Sequence, residues 1–305
     1  MLFRSSEDNP LSPSAIIAFL TCPLKFYFRY VAGLKEADEV KEDVTRQLFG
    51  NIFHKAMELV YAPLLGHFCD GERFGRLPGN REYIRGCILK AFNTEYFRKK
   101  QESEPVPLEG KSILIASTLE SYILNMLEAD VQQAPILIHS LEKSYLTGIT
   151  VDISGRKRKI TIGGKIDRVD EHNGLIRVLD YKTGNVDKNA LTFRSVQELF
   201  DTENRDVKKE TIQSLIYTYI LDRSDFSGRN FQPAVFSVLK LKDNAFSPLI
   251  RMNGEPVVFA EIRDDIESEL KKILCMIYSD TYHYTQTKEK DRCRICPYSG
   301  LCGRW

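Results

Sequence analysis

The stretch GGKIDRVDEHNGLIRVLDYKTG, Gly163 to Gly184, decides how this chain is read. Two β-branched runs flank Asn173-Gly174, a dipeptide that accepts the left-handed backbone of a two-residue hairpin turn. Strands over 158–169 and 174–181 follow from this pattern. They would carry Asp167 and Asp180, 13 residues apart, to one end of a sheet. Lys182 lies two residues beyond Asp180, and positions i and i+2 of a strand share a face. Two carboxylates in one cleft repel unless a cation neutralises them, and hard oxygen donors select Mg²⁺ or Mn²⁺. Taken alone, Asp-x-Lys also fits an exposed hairpin with surface ion pairs. Its neighbours in the sequence must decide.

Outward from the hairpin, the pattern is helical before it and mixed after it. Ser12 caps, and Pro13 opens, a helix that ends at Cys22-Pro23. Leu48, Ile52, Phe53, Met57 and Val60 recur at helical spacing over 46–61, with His54 beside the stripe. Charged residues 35–47 form a connection between these two helices. Further helices are predicted over 81–101 and 111–133, so that 63–133 reads as a helical insert. Strands follow over 137–146 and 149–153, then the hairpin, helices over 192–201 and 210–222, strands over 234–241 and 256–259, and a helix over 261–279. This predicts one α/β domain over residues 1–305 with a central sheet flanked by helices.

Composition bounds the function. With 305 residues, 43% hydrophobic and 28% charged, the chain is of ordinary globular type. Its apolar stretches, such as Ile136–Ile138 and Leu215–Leu221, fall far short of the roughly 20 residues of a membrane span. The N-terminus lacks an apolar core followed by a small-residue cleavage site, so a cytoplasmic protein without a membrane partner is expected. A net charge of +1 excludes a global basic field. Nucleic-acid binding would need a local patch, such as Gly155–Lys159 (GRKRK), which reads equally as a solvated turn. No G-x-x-x-x-G-K-[ST] run marks an ATPase motor.

The runs I-D-R-V-D, D-Y-K-T-G and Q-S-L-I-Y, with Gly50-Asn51-Ile52-Phe53-His54 upstream, resemble the RecB-type branch of the PD-(D/E)xK nuclease superfamily. That resemblance implies a restriction-endonuclease-like core, a central mixed β-sheet between helices. It implies His54, Asp167 and Asp180 as ligands of Mg²⁺ or Mn²⁺, joined by the Tyr181 carbonyl. Lys182 would be the catalytic lysine, with Asp180 and Asp167 sharing its work, and Gln213 and Tyr217 would contact the DNA backbone. The family usually has two adjacent glycines before its histidine, where this chain has Gly50-Asn51.

Seven cysteines in a reducing compartment are thiols or metal ligands rather than disulfides. Cys293, Cys296 and Cys302 form C-x2-C-x5-C and lack one ligand for a closed site, for which Cys22 is the candidate. One cysteine before the core and three after it resemble the iron-sulfur staple of AddB-type and CRISPR-associated family members. The resemblance thus implies a 4Fe-4S cluster pairing the tail, 285–305, with Cys22. A structural zinc and unmetallated thiols remain open. Cys69, Cys87 and Cys275 have no ligand spacing and read as small buried side chains.

The function implied is a magnesium-dependent deoxyribonuclease module, an exonuclease of recombinational repair that hydrolyses phosphodiester bonds in single-stranded DNA or at duplex ends. Its nearest likeness would be the C-terminal nuclease domain of an AddB-type helicase-nuclease subunit, with a helicase partner. The alternatives are a free-standing CRISPR-associated RecB-like nuclease, a catalytically silent DNA-binding module on a metal staple, and a protein-interaction domain with a zinc knot.

Overall fold

The computed structural model describes residues 5–35, 44–100, 103–243 and 246–304. Most of the connection read over 35–47 lies outside them. Helix α1 (Pro13–Thr21) starts where Ser12 Oγ accepts a hydrogen bond from the Ala15 amide, and the short α2 (Pro23–Phe26) follows. Next come α3 (Arg46–Tyr61), capped by Thr45, β1 (Phe68–Cys69), α4 (Gly71–Gly79), α5 (Arg81–Glu95) and α6 (Lys111–Gln133). Strands β2 (Ile136–Ile153), β3 (Arg156–His172) and β4 (Leu175–Lys182) form the meander. Then follow β5 (Thr192–Phe193), α7 (Val196–Leu199), α8 (Lys209–Asp222), β6 (Asn230–Ser237), β7 (Arg251–Met252), β8 (Glu255–Pro256) and α9 (Phe259–Tyr278).

The main sheet has the order β1-β2-β3-β4-β6, antiparallel except for the parallel β4–β6 pair. It is therefore the mixed sheet expected, with helices on both faces. Ile176 and Val178 of β4 belong to a core shared with α1, α8 and α9, whereas Leu179 and Tyr181 belong to one shared with α3, α5 and α6. Strand alternation thus feeds two cores, which is why all of β4 from Ile176 to Tyr181 is buried.

The two tight hairpins of the main sheet use a left-handed pair. Asn173 and Gly174 have φ of 51° and 77°, and Ser154 and Gly155 have 53° and 77°. Several expected boundaries shift. The break between 146 and 149 does not occur, because Gly148 pairs with Thr161 inside one long β2 and the Lys159 side chain fills the space a Cβ would need. Helix α5 stops at Glu95, with Arg98 left-handed at φ 55° just beyond. The helix expected over 192–201 is a two-residue strand and a one-turn helix capped by Ser195. The 234–241 run is β6 closing at Ser237 into a 3₁₀ turn. Among the described residues, no helix is long and apolar enough to cross a membrane.

Beneath the hairpin lies a buried ionic network. Arg168 of β3 is fully buried and donates to Asp130 of α6 at 2.6 and 3.2 Å, and it pairs with Asp170 at 2.5 Å. Asp170 also accepts two hydrogen bonds from Arg177 of β4, at 2.6 and 2.8 Å, while Tyr61 of α3 donates to Asp130. Burial alone would raise the Asp170 pKa, but Arg168 and Arg177 outweigh it and hold this carboxyl below its ordinary range. Removing one partner of such a set leaves an uncompensated buried charge. We expect Arg168→Leu to cost about 3–5 kcal/mol, measured by urea unfolding. A loss under 1 kcal/mol would show that the network does not clamp α6 to the sheet.

Candidate active site and cysteine site

Asp167 and Asp180 lie one step beyond the Arg168–Leu179 pair, at the end of the β3–β4 ladder. Asp180 is 3% exposed, and its Oδ2 stands 2.6 Å from Lys182 Nζ. Lys182 also donates to Gln213 Oε1 of α8 at 3.2 Å, and Gln213 Nε2 donates to Tyr217 Oη at 3.2 Å. Gln213 and Tyr217 are therefore joined to the Asp-x-Lys pair. Tyr217 comes so close to β3 that a Cβ on Gly164 would fall 2.8 Å from its ring, so glycine there is a packing requirement.

The amide of Tyr181 donates to Asp167 Oδ2 at 2.7 Å. Oδ1 of the same carboxylate lies 3.4 Å from Nδ1 of His54, which α3 carries to this sheet end. Asn51, at the position where the family usually has a second glycine, is exposed and lines the cavity onto which His54 and Asp167 open. His54 Nδ1 is also 3.1 Å from Glu142 Oε1, and Glu142 Oε2 is 2.5 Å from Lys165 Nζ. Nothing local marks Glu142 in the sequence, since it lies 25 positions before Asp167 and only the β2–β3 register brings the two together. Lys165, two residues before Asp167, is legible as Lys-x-Asp but has no partner nearby in the chain to give it meaning.

Charge is concentrated here. Burial raises the Asp180 pKa to about 6, with Asp167 adding to the shift and Lys182 opposing it. Burial would lower His54, but Asp167 and then Glu142 outweigh it and lift it to about 10. Lys182 would likewise be discharged by burial, and Asp180 keeps its ammonium protonated. Buried carboxylates held by protons and ammonium groups suit a divalent cation, and His54, Glu142 and Asp167 place donor atoms within 4.8 Å of one another.

At the far end of α8, Cys22, Cys293, Cys296 and Cys302 line one cavity of about 110 Å³, together with Lys25 and Lys209. The Cys302 thiol is pushed up by burial and then by Cys22, Cys296 and Cys293, so residues from both ends of the chain meet. Arg292 fastens them, donating to Thr21 O at 2.8 Å and to the carbonyls of Asn204 and Arg205 at 2.9 and 2.7 Å. Cys69 and Cys87 are buried as expected. Cys275 is only half-buried, its thiol donating to Asp152 O at 3.4 Å. The basic run Gly155–Lys159 is an exposed hairpin tip except for half-buried Arg158.

With this geometry in place, the comparison with known proteins is direct, because the sequence profile of the PD-(D/E)XK nuclease superfamily matches residues 10–303. The chain belongs to this superfamily. It is also 23% identical over 270 residues to the AddB-type subunit of the ATP-dependent helicase/deoxyribonuclease of Carboxydothermus hydrogenoformans. That match takes in 85% of this chain but only 22% of the relative, so the chain spans about a fifth of that protein's length. A solved structure described as "Crystal structure of SSO0001" is 16% identical, with a TM-score of 0.27, covering 86% of this chain and 97% of that one.

A stability measurement can check the charge balance without any substrate. Because the folded pKa of Asp180 lies above the ordinary 3.8, its contribution is fully present below pH 4 and is lost as the pH rises through about 6. Asp180→Asn removes that penalty. Leaving Lys182 without its carboxylate adds a cost of its own, so the test is the change with pH: in chelator the stability of the variant relative to wild type should rise by roughly 1–3 kcal/mol between pH 4 and pH 7.5. A difference that does not change with pH would mean that the carboxylate is not strained by burial.

Proposed function

We propose that this superfamily member is a magnesium-dependent deoxyribonuclease that hydrolyses phosphodiester bonds, working as an exonuclease on single strands or duplex ends in recombinational repair, beside a helicase partner. The observation that carries the reading is the convergence of Asp167, Asp180 and Lys182 with Gln213 and Tyr217 at one sheet end. The deoxyribonuclease activity and the helicase association in the name of the AddB-type relative support the substrate and the partner.

His54, Asp167 and Asp180, with the Tyr181 carbonyl, would hold Mg²⁺ or Mn²⁺. When bound, such an ion supplies Lewis-acid stabilisation of the phosphate and lowers the pKa of a coordinated water. The chain does the rest. Asp180 and Gln213 fix the Lys182 ammonium in one orientation, from which it donates a hydrogen bond to the attacking water and offsets charge that develops on the phosphate. Gln213 and Tyr217 present polar groups to the DNA backbone, so recognition is independent of sequence and weakens with salt.

Four thiols around one cavity, beside the cations Lys25 and Lys209, fit an anionic metal-thiolate group, and we assign them to a 4Fe-4S staple with a structural role.

On linear single- and double-stranded DNA with Mg²⁺, Asp180→Ala and Lys182→Ala should each lose at least about 100-fold in rate. Equal activity in wild type and variants, or none in a folded, metal-loaded wild type, overturns the enzyme reading. After anaerobic reconstitution, elemental analysis should find about four irons per chain. Cys22→Ser should lose most of them. Stoichiometric zinc instead of iron would replace the cluster by a tetrahedral site.

A further inference from the structure

Glu142 takes no part in that reading, yet its placement is tightly constrained. It lies in the middle of β2 between the Leu141–Arg168 and Lys143–Ile166 pairs, across from Asp167. Its φ is 46°, a left-handed backbone that is strained for a non-glycine residue. The side chain is 8% exposed. A strained backbone and a buried carboxylate persist in a strand only where their surroundings compensate them.

What surrounds it is cationic. Oε1 faces His54 Nδ1 at 3.1 Å, and Oε2 faces Lys165 Nζ at 2.5 Å. His54 Nδ1 is in turn 3.4 Å from Asp167 Oδ1, the oxygen not taken up by the Tyr181 amide. Octahedral Mg²⁺ or Mn²⁺, with donors at about 2.1 Å, sets neighbouring donors about 3.0 Å apart. The two distances from His54 are close to that edge. These groups open on a cavity of about 330 Å³ that Glu95 and the Lys55–Glu58 ion pair, 2.9 Å apart, also line, so a cation entering it meets one further acid not engaged by Lys55. Asp180 and Lys182 are not among its lining residues.

We propose that Glu142 is a ligand of a divalent cation held with His54 and Asp167, and that Lys165 is the ammonium this cation displaces from Glu142. The proposal rests on the nuclease reading and adds a donor to its metal set. A rival role exists: Glu142 could only orient the His54 ring, as carboxylates often do for metal-bound histidines. The two roles differ in what Lys165 does. If Lys165 competes with the metal for Glu142, the gain from removing it runs through that carboxylate and is mostly lost once Glu142 is Gln; if Glu142 only orients the ring, removing the ammonium acts on the cation through charge alone and the gain survives in the double variant.

The experiment titrates the chelator-washed full chain with Mn²⁺, following free ion by electron paramagnetic resonance, without DNA. Glu142→Gln should weaken Mn²⁺ binding at least about tenfold, and Lys165→Gln should strengthen it about threefold to tenfold. Unchanged affinity in Glu142→Gln overturns the proposal. So does a Lys165→Gln gain of the same size in the Glu142→Gln background, the signature of ring orientation with a bare charge effect. Should Glu142→Gln not fold, unaltered affinity in the exposed Lys165→Gln overturns the proposal. Failure of the two readings can be told apart. A wild type that digests DNA with a Glu142→Gln of normal Mn²⁺ affinity removes only Glu142. Both Mn²⁺ shifts in a protein that leaves DNA intact would remove the nuclease reading and keep the cation site.

Discussion

Everything in this protein hangs on the register between β3 and β4. Side chains alternate with a period of two, so a slip of one residue would send Asp167 and Asp180 to opposite faces and part Lys182 from Gln213. Two devices hold that register. The Asn173-Gly174 turn fixes the strands at one end, and Arg168, Asp170 and Arg177 lock them from within. The second device also reaches α6 through Asp130, so the helices between α3 and β2 are tied to the strand that carries the acids. Buried ion pairs often add little net stability. Here the network's value is positional: it leaves one arrangement in which every charge is met.

That rigidity sustains a costly site. Asp167, Asp180 and Glu142 are carboxylates largely removed from water, and each is balanced by a neighbouring cationic group or an amide: Lys182 for Asp180, Lys165 and His54 for Glu142, the Tyr181 amide and His54 for Asp167. Of these partners the exposed Lys165 ammonium is a side chain that a cation could replace without changing the sheet. Carboxylates so far removed from water set up unfavourable electrostatics of the kind a bound cation would relieve.

Helix α8 links the two halves of the chemistry. Lys209, its first residue, lines the cysteine cavity, while Gln213, about one turn along, holds Lys182. Arg292 binds the tail to the loop just before that helix. The C-terminal tail is thus packed where it can steady the helix that orients the lysine.

Much of this was legible in residue order. Asn-Gly flanked by β-branched runs encodes a hairpin because such residues readily accept its left-handed turn; Asp-x-Lys shares a face because a strand repeats every two residues; and C-x2-C-x5-C groups three thiols by spacing alone. Local geometry decides each of these. The tertiary structure decided what depends on partners distant in sequence. Gly148 pairs within one long strand instead of ending it, Glu142 joins His54 only through the β2–β3 ladder, and Arg168 is a buried clamp rather than a surface charge. Burial, pairing and pKa shifts are properties of what surrounds a side chain, and a sequence lists neighbours along the chain, not those across the sheet.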